Sequence, residues 1–235
     1  MNERQLSERL VRVAAYVPKG ARVADIGSDH AYLPCYLCIQ DPNLSAIAGE
    51  VNEGPFQSAM KQVIKAGLEN RIEVRKGNGL AVLNEGEVNT ITTAGMGGGL
   101  ITTILEEGQE KLAGVTTLIL QPNVSADLIR KWLRDNGWLL VAEEILEEDE
   151  KIYEILVAER GNDTDLYQEK TEEKLLLGPF LMKECNSVFK KKWKYELVNW
   201  KRIVTEFEKA ILNEQIEQKR KSLLKQIKMV EEVIK

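Results

Sequence analysis

The sequence predicts an α/β protein, with a seven-stranded, mostly parallel sheet, helices on both faces and a helical appendage. Three observations carry this. Five strand-like apolar runs alternate with helical segments between Arg22 and Asn136. Two further strand-like runs, Trp138 to Ile145 and Lys151 to Ala158, follow with no helix between them. Beyond residue 182 the apolar residues recur at steps of 3 and 4, the spacing of a helix seam.

In order, an amphipathic segment opens the chain with Leu6, Leu10, Val13 and Val17 at helical spacing, and Pro18 stops it. Lys19-Gly20 turns into the first strand, Arg22 to Ile26. The stretch DIGSDHAYLP, Asp25 to Pro34, leaves this strand through an acid and a glycine and enters a helix at Ala31 to Ile39. α/β proteins hold nucleoside-like cofactors at such a turn, because glycine admits the ligand to the backbone and the helix start offers free N–H groups. A second strand reads at Ala46 to Glu50, a helix at Glu53 to Gly67 and a third strand at Arg71 to Arg75, ending in Lys76-Gly77-Asn78-Gly79. Val88 to Ala94 is the fourth strand. It leads into the glycine run Gly95-Met96-Gly97-Gly98-Gly99 and a helix at Leu100 to Glu107. Val115 to Leu120 is the fifth, followed by Gln121-Pro122-Asn123 and a helix from Ser125 to Asn136. Right-handed crossovers make these five strands parallel. The last two runs, separated by acidic Glu147 to Glu150, read as an antiparallel pair.

Gly161-Asn162-Asp163 reads as a linker, so two domains are expected, residues 1–160 and 161–235. In the second, Trp193, Leu197, Trp200, Val204, Phe207 and Ile211 form one seam, and Leu223, Ile227, Val230 and Ile234 another. Polar Asn213 to Lys221 lies between them. The simplest arrangement is an antiparallel coiled-coil hairpin that buries one seam on the other and leaves the chain monomeric. Pairing with a second chain fits the same spacing. The aromatic residues sit at helical spacing, which favours packing over base stacking.

Composition narrows the class. Apolar residues make up 43 % and charged residues 29 %, as in ordinary globular domains. No apolar run reaches the roughly 18 residues of a membrane span. The N-terminus, MNERQLSERL, is charged and lacks an apolar core, so a cytoplasmic protein is expected. Three cysteines suit a reducing compartment. Cys35 and Cys38 form a C-x-x-C, but only Cys185 and His30 could complete a zinc set, so no metal is expected and both read as small apolar residues inside a helix. The net charge of −5 hides an asymmetry. Residues 183–235 carry 14 basic and 8 acidic side chains, a net of +6 against −11 for the rest. A basic tail on an acidic body fits a polyanion partner, and it equally fits a long solvated helix.

Three strand ends carry candidate chemistry. Glu50 ends the second strand 25 residues after Asp25, where an acid can accept both ribose hydroxyls. Asn78 follows the third strand, within reach of an adenine amino group. DIGSDH lacks the later glycines of G-x-G-x-x-G, which favours a cofactor without a pyrophosphate, and Gly27 has no side chain to block the methionine part of an S-adenosylmethionine. The run Gly95 to Gly99 weakens a helix start by roughly 0.5–1 kcal/mol per glycine, which suggests a surface for a flat ligand or a bulky substrate, and a flexible lid or tight turn fits it as well. No G-K-[ST] follows it, so it is no Walker loop.

DIGSDHAYLP, the AGMGG after strand four, LQPN at Leu120 to Asn123 and the GP at Gly178-Pro179 before the helical seams together resemble the bacterial tRNA (adenine(22)-N1)-methyltransferases of the TrmK family, over nearly the whole chain. The final antiparallel strand pair is likewise similar to the class I Rossmann-like methyltransferase sheet. The resemblance implies S-adenosylmethionine as methyl donor, tRNA as substrate, N1 of adenine 22 as target and a C-terminal coiled coil. One departure is visible: Gly77 to Leu80 reads GNGL where the family pattern has GDGL. Asn78 can still accept an adenine N–H, so weaker cofactor binding without loss of activity is implied. No N-P-P-Y tetrad occurs, which fits a ring-nitrogen target.

The expected cofactor set is Asp25, Gly27, Ser28, Asp29, Glu50, Val51, Asn78, Gly79, Ala94, Gly95, Met96 and Gly97, and the expected catalytic set is Asp29, His30, Tyr32 and Asn123. Adenine N1 carries an in-plane lone pair and no proton, so alignment does most of the work. Asp29 would stabilise the cationic product or take the N6 proton. His30 would bond the base, orient Asp29 or cap the helix. Tyr32 would stack on adenine or pack in the core. Asn123 would orient the base or simply open a helix. Two other functions fit the same chain: a small-molecule methyltransferase whose hairpin caps the site, and a non-catalytic RNA- or partner-binding module.

Overall fold

The computed structural model describes residues 5–162, 165–209 and 214–235. By internal contacts the chain divides into two units between Asp165 and Leu166, a few residues beyond the boundary read from the sequence.

The first unit contains seven strands: β1 (Arg22–Ile26), β2 (Ser45–Glu50), β3 (Ile72–Lys76), β4 (Thr90–Gly97), β5 (Thr117–Val124), β6 (Trp138–Glu148) and β7 (Lys151–Arg160). Its helices are α1 (Glu8–Ala15), α2 (Tyr32–Gln40), α3 (Glu53–Ala66), α4 (Gly98–Glu107) and α5 (Ala126–Asp135). One sheet runs in the order β3-β2-β1-β4-β5-β7-β6. β1 to β5 are parallel, while β7 is antiparallel to β5 and to β6. The chain moves outward from β1 to β3, then returns to β4 on the other side of β1. That reversal opens a crevice beyond the ends of β1 and β4, where open α/β sheets bind ligands.

Strand alternation divides the core into two layers. Val23, Ala46, Ala48, Ile72, Ile119 and Val157 share a buried cluster with Val13 of α1, Leu33 and Leu37 of α2 and Val63 of α3. Ala24, Ile26, Ile47, Leu118 and Leu120 alternate with them and are equally buried. Cys35 and Cys38 are buried thiols of the first layer, joined in no disulfide, as small apolar residues would be. Between α5 and the antiparallel pair lies a buried ion cluster, in which Arg130 Nε donates to Glu143 at 2.6 Å and Nη2 to Glu154 at 2.5 Å.

Strand and helix ends depart from the sequence reading at the glycine run. β4 stays paired with β5 as far as Gly97, and α4 begins at Gly98. The cause is tertiary. A Cβ on Gly98 would fall on the Ser125 carbonyl, so only glycine lets α4 start against the β5–α5 turn. β5 likewise includes Gln121-Pro122-Asn123. Pro34 lies in the first turn of α2, where no intrahelical N–H is lost.

The second unit holds α6 (Thr171–Leu177), α7 (Pro179–Glu184), α8 (Ser187–Lys209) and α9 (Glu214–Val233). Trp193, Leu197 and Val204 of α8 and Ile227 and Val230 of α9 are buried, and Trp200, Phe207 and Leu223 are half-buried. Phe189 meets Trp193 edge-on at 6.2 Å, and Trp193 meets Trp200 at 5.9 Å, so the aromatic seam is packing. Lys201 pairs with Glu231 at 2.6 Å across the two helices, and Lys225 of α9 pairs with Glu172 of α6. Asp163 of the expected linker, Ile211 of the first seam and Asn213 lie outside the described residues.

Candidate active site

The turn after β1 is built before any ligand is considered. Asp25 is buried, and its two carboxylate oxygens accept from Ser28 Oγ at 2.6 Å and Thr92 Oγ1 at 2.7 Å. Burial pushes the Asp25 carboxyl above its ordinary range, and these two bonds work against the shift. The N–H groups of Gly27 and Ser28 both donate to the Gly49 carbonyl, at 3.0 and 3.3 Å. Gly27, Asp29 and Ala31 alternate in the left-handed region, with φ of 72°, 56° and 52°. For Asp29 and Ala31 that conformation costs of order 1–3 kcal/mol each, and the surrounding bonds hold it. Asp25 and Ser28 therefore shape the turn.

Glu50 stands at the end of β2 and is only 5 % exposed. One oxygen accepts the N–H of Asp29. Burial pushes its carboxyl up to about 7; the Asp29 N–H opposes the shift, and the nearby Asp29 and Asp25 charges reinforce it. A buried carboxylate with one accepted bond has lone pairs left for further donors, which a ribose diol supplies. This is the structural test of a nucleoside cofactor, and Glu50 meets it.

A cavity beside Glu50 is lined by Gly27, Gly49, Val51, Gly77, Asn78, Gly79 and Met96, with Ile26, Leu100 and Ile104 as further apolar walls. Four glycines strip Cβ atoms from its lining. A Cβ on Gly27 would come within 2.0 Å of Met96 Cε, and Gly79 adopts φ 52° against Ile104. Val51 is 53 % exposed, an apolar side chain at the mouth with nothing over it. The lining is glycine backbone and aliphatic carbon with one amide, Asn78, and a flat heteroaromatic ring with an exocyclic amine fits that chemistry.

Asp29, His30 and Tyr32 cluster where the turn after β1 enters α2. His30 Nε2 lies 3.7 Å from Asp29 Oδ1, and the His30 and Tyr32 rings stack at 5.2 Å with 25° between planes. The Asp29 side chain is 71 % exposed and so faces solvent. His30 does not cap α2: the cap position is Ala31, with no side-chain bond.

Gly95 lies between these groups and β5. It has no ladder partner, because Ala94 pairs with Gln121 and Met96 with Pro122, and its φ is 82°. It is a glycine bulge, a device that re-aims backbone next to active sites. Asn123 is bulged in turn, since Gly97 pairs with Val124. The bulges are bonded to each other: Gly95 N–H donates to Gln121 Oε1 at 3.0 Å, and Asn123 Nδ2 donates to the Gly95 carbonyl at 2.7 Å. Asn123 thus belongs to the end of β5 and does not open α5, whose cap is Ser125. Gly97 is the cap residue of α4. Gln121, fully buried, was passed over in the sequence, although a glutamine ending the apolar run Leu118 to Leu120 was a signal. Gly49 and Gly77 were also missed.

Among the described residues no cluster of potential metal ligands occurs, and no helix is long and apolar enough to cross a membrane. The model of the TrmK family, tRNA (adenine(22)-N(1))-methyltransferase, matches residues 23–232. The tRNA (adenine(22)-N(1))-methyltransferase of Bacillus subtilis strain 168 is 51 % identical over 235 residues, covering 100 % of this chain and 99 % of that one. The crystal structure of the B. subtilis M1A22 tRNA methyltransferase TrmK superposes with a TM-score of 0.94 at 49 % identity, over 99 % of this chain and 100 % of that one. The Streptococcus pneumoniae protein Sp1610, in complex with S-adenosyl-L-methionine, gives 0.83 at 45 % identity over 98 % and 100 %. The crevice built here from backbone turns, a buried acid and paired bulges is thus the crevice of a methyltransferase fold, and the chain belongs to the tRNA (adenine(22)-N(1))-methyltransferase family.

Proposed function

We propose that this protein transfers a methyl group from S-adenosylmethionine to N1 of adenine 22 in tRNA. The observation that carries the reading is Glu50, a buried acid with free acceptor capacity beside a glycine-lined cavity, in a chain of this family. S-adenosylmethionine supplies an electrophilic methyl on a sulfonium. Glu50 would accept the ribose hydroxyls, and Asn78 would meet the adenine edge. Val51, Gly79 and Met96 would enclose the cofactor's adenine and methionine parts, with Gly27 leaving the space. Asp25 and Ser28 would act indirectly, by holding the turn.

The target nitrogen needs no base before it reacts, so the protein's task is to hold it in line. Asp29, with its side chain exposed, would stabilise the positive charge that develops on the purine or take the N6 proton. Tyr32 and His30, already stacked on each other, would offer a ring face to the base. Ala94, Gly95 and Gly97 would form the wall against which the base lies, with Asn123 fixing that wall. Residues 1–160 would make up the catalytic domain. The helical domain would hold tRNA through its basic surface, in which Lys191, Lys194 and Tyr195 share α8. A monomeric, cytoplasmic protein fits these roles.

Incubation with labelled S-adenosylmethionine and unmodified tRNA, followed by nucleoside analysis, tests the reading. Label in 1-methyladenosine is expected. Turnover on free adenosine at the same rate would favour the small-molecule methyltransferase instead. Binding of tRNA should weaken steeply with salt, since phosphate contacts release counterions.

A further inference from the structure

We infer that Arg9 and Gln121 are positioning residues for the Gly95 bulge, and that helix α1 therefore braces the active site through Arg9. The inference rests on the methyl-transfer reading above and adds to it a helix that lies outside the family match, which begins at residue 23.

Arg9 is half-buried on α1. Its Nη1 donates to Gln121 Oε1, the same oxygen that accepts the Gly95 N–H. One amide oxygen has two lone pairs, and here both are taken. The Gln121 Nε2 donates to the Pro122 carbonyl at 2.8 Å, so its amide cannot turn over without losing three bonds. The guanidinium is held in turn: it lies over the Tyr153 ring at 5.1 Å, and the α1 N-terminus is fastened to β6 by Glu148, which accepts from Glu8 N at 2.5 Å and Arg9 N at 3.4 Å. A Cβ on Gly95 would lie 3.7 Å from Arg9 Nη1, so the cation stands against the bulge itself.

The line then continues into the cofactor cavity. Gly95 is followed by Met96, whose Cε closes on Gly27 and whose side chain lines the cavity. Fixing the Gly95 peptide fixes the direction in which Met96 enters, and with it the wall beside the methyl group. The bulge is held from three sides: Gln121 at its N–H, Asn123 at its carbonyl and Arg9 through Gln121. A rotation of this peptide would displace the wall by about 1 Å, enough to cost on the order of 100-fold in rate when alignment is the main source of catalysis.

The test compares Arg9→Met, Gln121→Met and Gln121→Glu with Arg12→Met, which alters the same helix at an arginine already paired with Glu8 and Glu144. Two quantities are read: amide hydrogen exchange at Gly95, and the single-turnover rate of methyl transfer at saturating cofactor and tRNA. Cofactor affinity is measured alongside by calorimetry. Gly95 should exchange at least about tenfold faster in both Met variants of the brace. The rate should fall about 100-fold in Gln121→Met and about tenfold in Arg9→Met, with the cofactor Kd changed less than about threefold. Gln121→Glu, whose carboxylate accepts from both Gly95 and Arg9 but loses the bond to the Pro122 carbonyl, should fall between wild type and Gln121→Met, and Arg12→Met should match wild type. Unchanged Gly95 exchange in Arg9→Met would overturn the inference. So would faster exchange with an unaltered rate, or a Kd that worsens in step with the rate. Failure of the wild type to methylate any tRNA would remove the proposed function, and the exchange measurement would still decide the brace.

Discussion

The two sides of the crevice are held in different ways. On the β1–β2 side, the Asp25–Ser28 bond and the Gly27 and Ser28 bonds to Gly49 fix a turn of a few residues between adjacent strands. On the β4–β5 side, Gly95 is held by Gln121 and Asn123 from the next strand and by Arg9 from a helix 112 residues away from Gln121 in sequence. The first side is a rigid seat suited to a small cofactor of constant shape. The second is assembled from distant pieces around a bulge, where a substrate base would be aligned. Changes on the first side should therefore act on cofactor affinity, and changes on the second on the rate of the chemical step.

The largest effect that sharpens this contrast is expected at Gly98. Gly98→Ala drives a methyl group onto the Ser125 carbonyl, and overpacking against rigid backbone costs about 3 kcal/mol or more. Thermal denaturation should show a lower midpoint, and the folded remainder should lose activity because the β4–β5 ends have separated.

Next comes Asp29, whose N–H is tied to Glu50 on the first side and whose exposed side chain is proposed to act on the base. Asp29→Asn keeps a side chain that tolerates φ 56° and removes only the charge. A loss of about 100-fold in single-turnover rate is expected, with calorimetry showing cofactor affinity near that of the wild type. Equal losses in both quantities would break the division between the two sides.

Glu50→Gln should do the opposite. Loss of a charge-assisted acceptor should weaken S-adenosylmethionine by about 10- to 100-fold. The wild type should also bind more tightly as pH rises. Its carboxyl sits at about 7, so only about a tenth is ionised at pH 6 and about nine-tenths at pH 8, roughly a tenfold gain in affinity that Glu50→Gln should abolish. Stability runs the other way. A carboxyl whose folded value lies above its ordinary 4.5 makes the free protein less stable as pH rises from about 4.5 to about 7, and the Gln variant should lack that slope.

The same contrast explains what could be read from the sequence. DIGSDH, Glu50 and Asn78 are local: each follows a strand within a few residues, and the chemistry is carried by residue type. The seams of α8 and α9 were legible because helical period alone identifies them. The strand character of the glycine run is not legible, because pairing of β4 with β5 through Gly97, and the bulge at Gly95, depend on register between strands that no single segment displays. Arg9 was invisible for a stronger reason. The period of α1 identifies its apolar face but cannot tell which glutamine a half-buried arginine on its edge will meet. The helices α6 and α7, of 7 and 6 residues, are too short for a period to register.

The smallest effects should come from the helical unit. Lys191→Gln and Lys194→Gln should each raise the KM for tRNA by about two- to fivefold and lower the slope of log affinity against log salt by about 1, with the single-turnover rate unchanged.

Methyl transfer to two tRNAs that differ only at position 22 tests the central claim most directly. 1-Methyladenosine is expected with adenine at that position, and no label above background with guanine. Equal labelling of both tRNAs, or 1-methyladenosine mapped to another position, would contradict it.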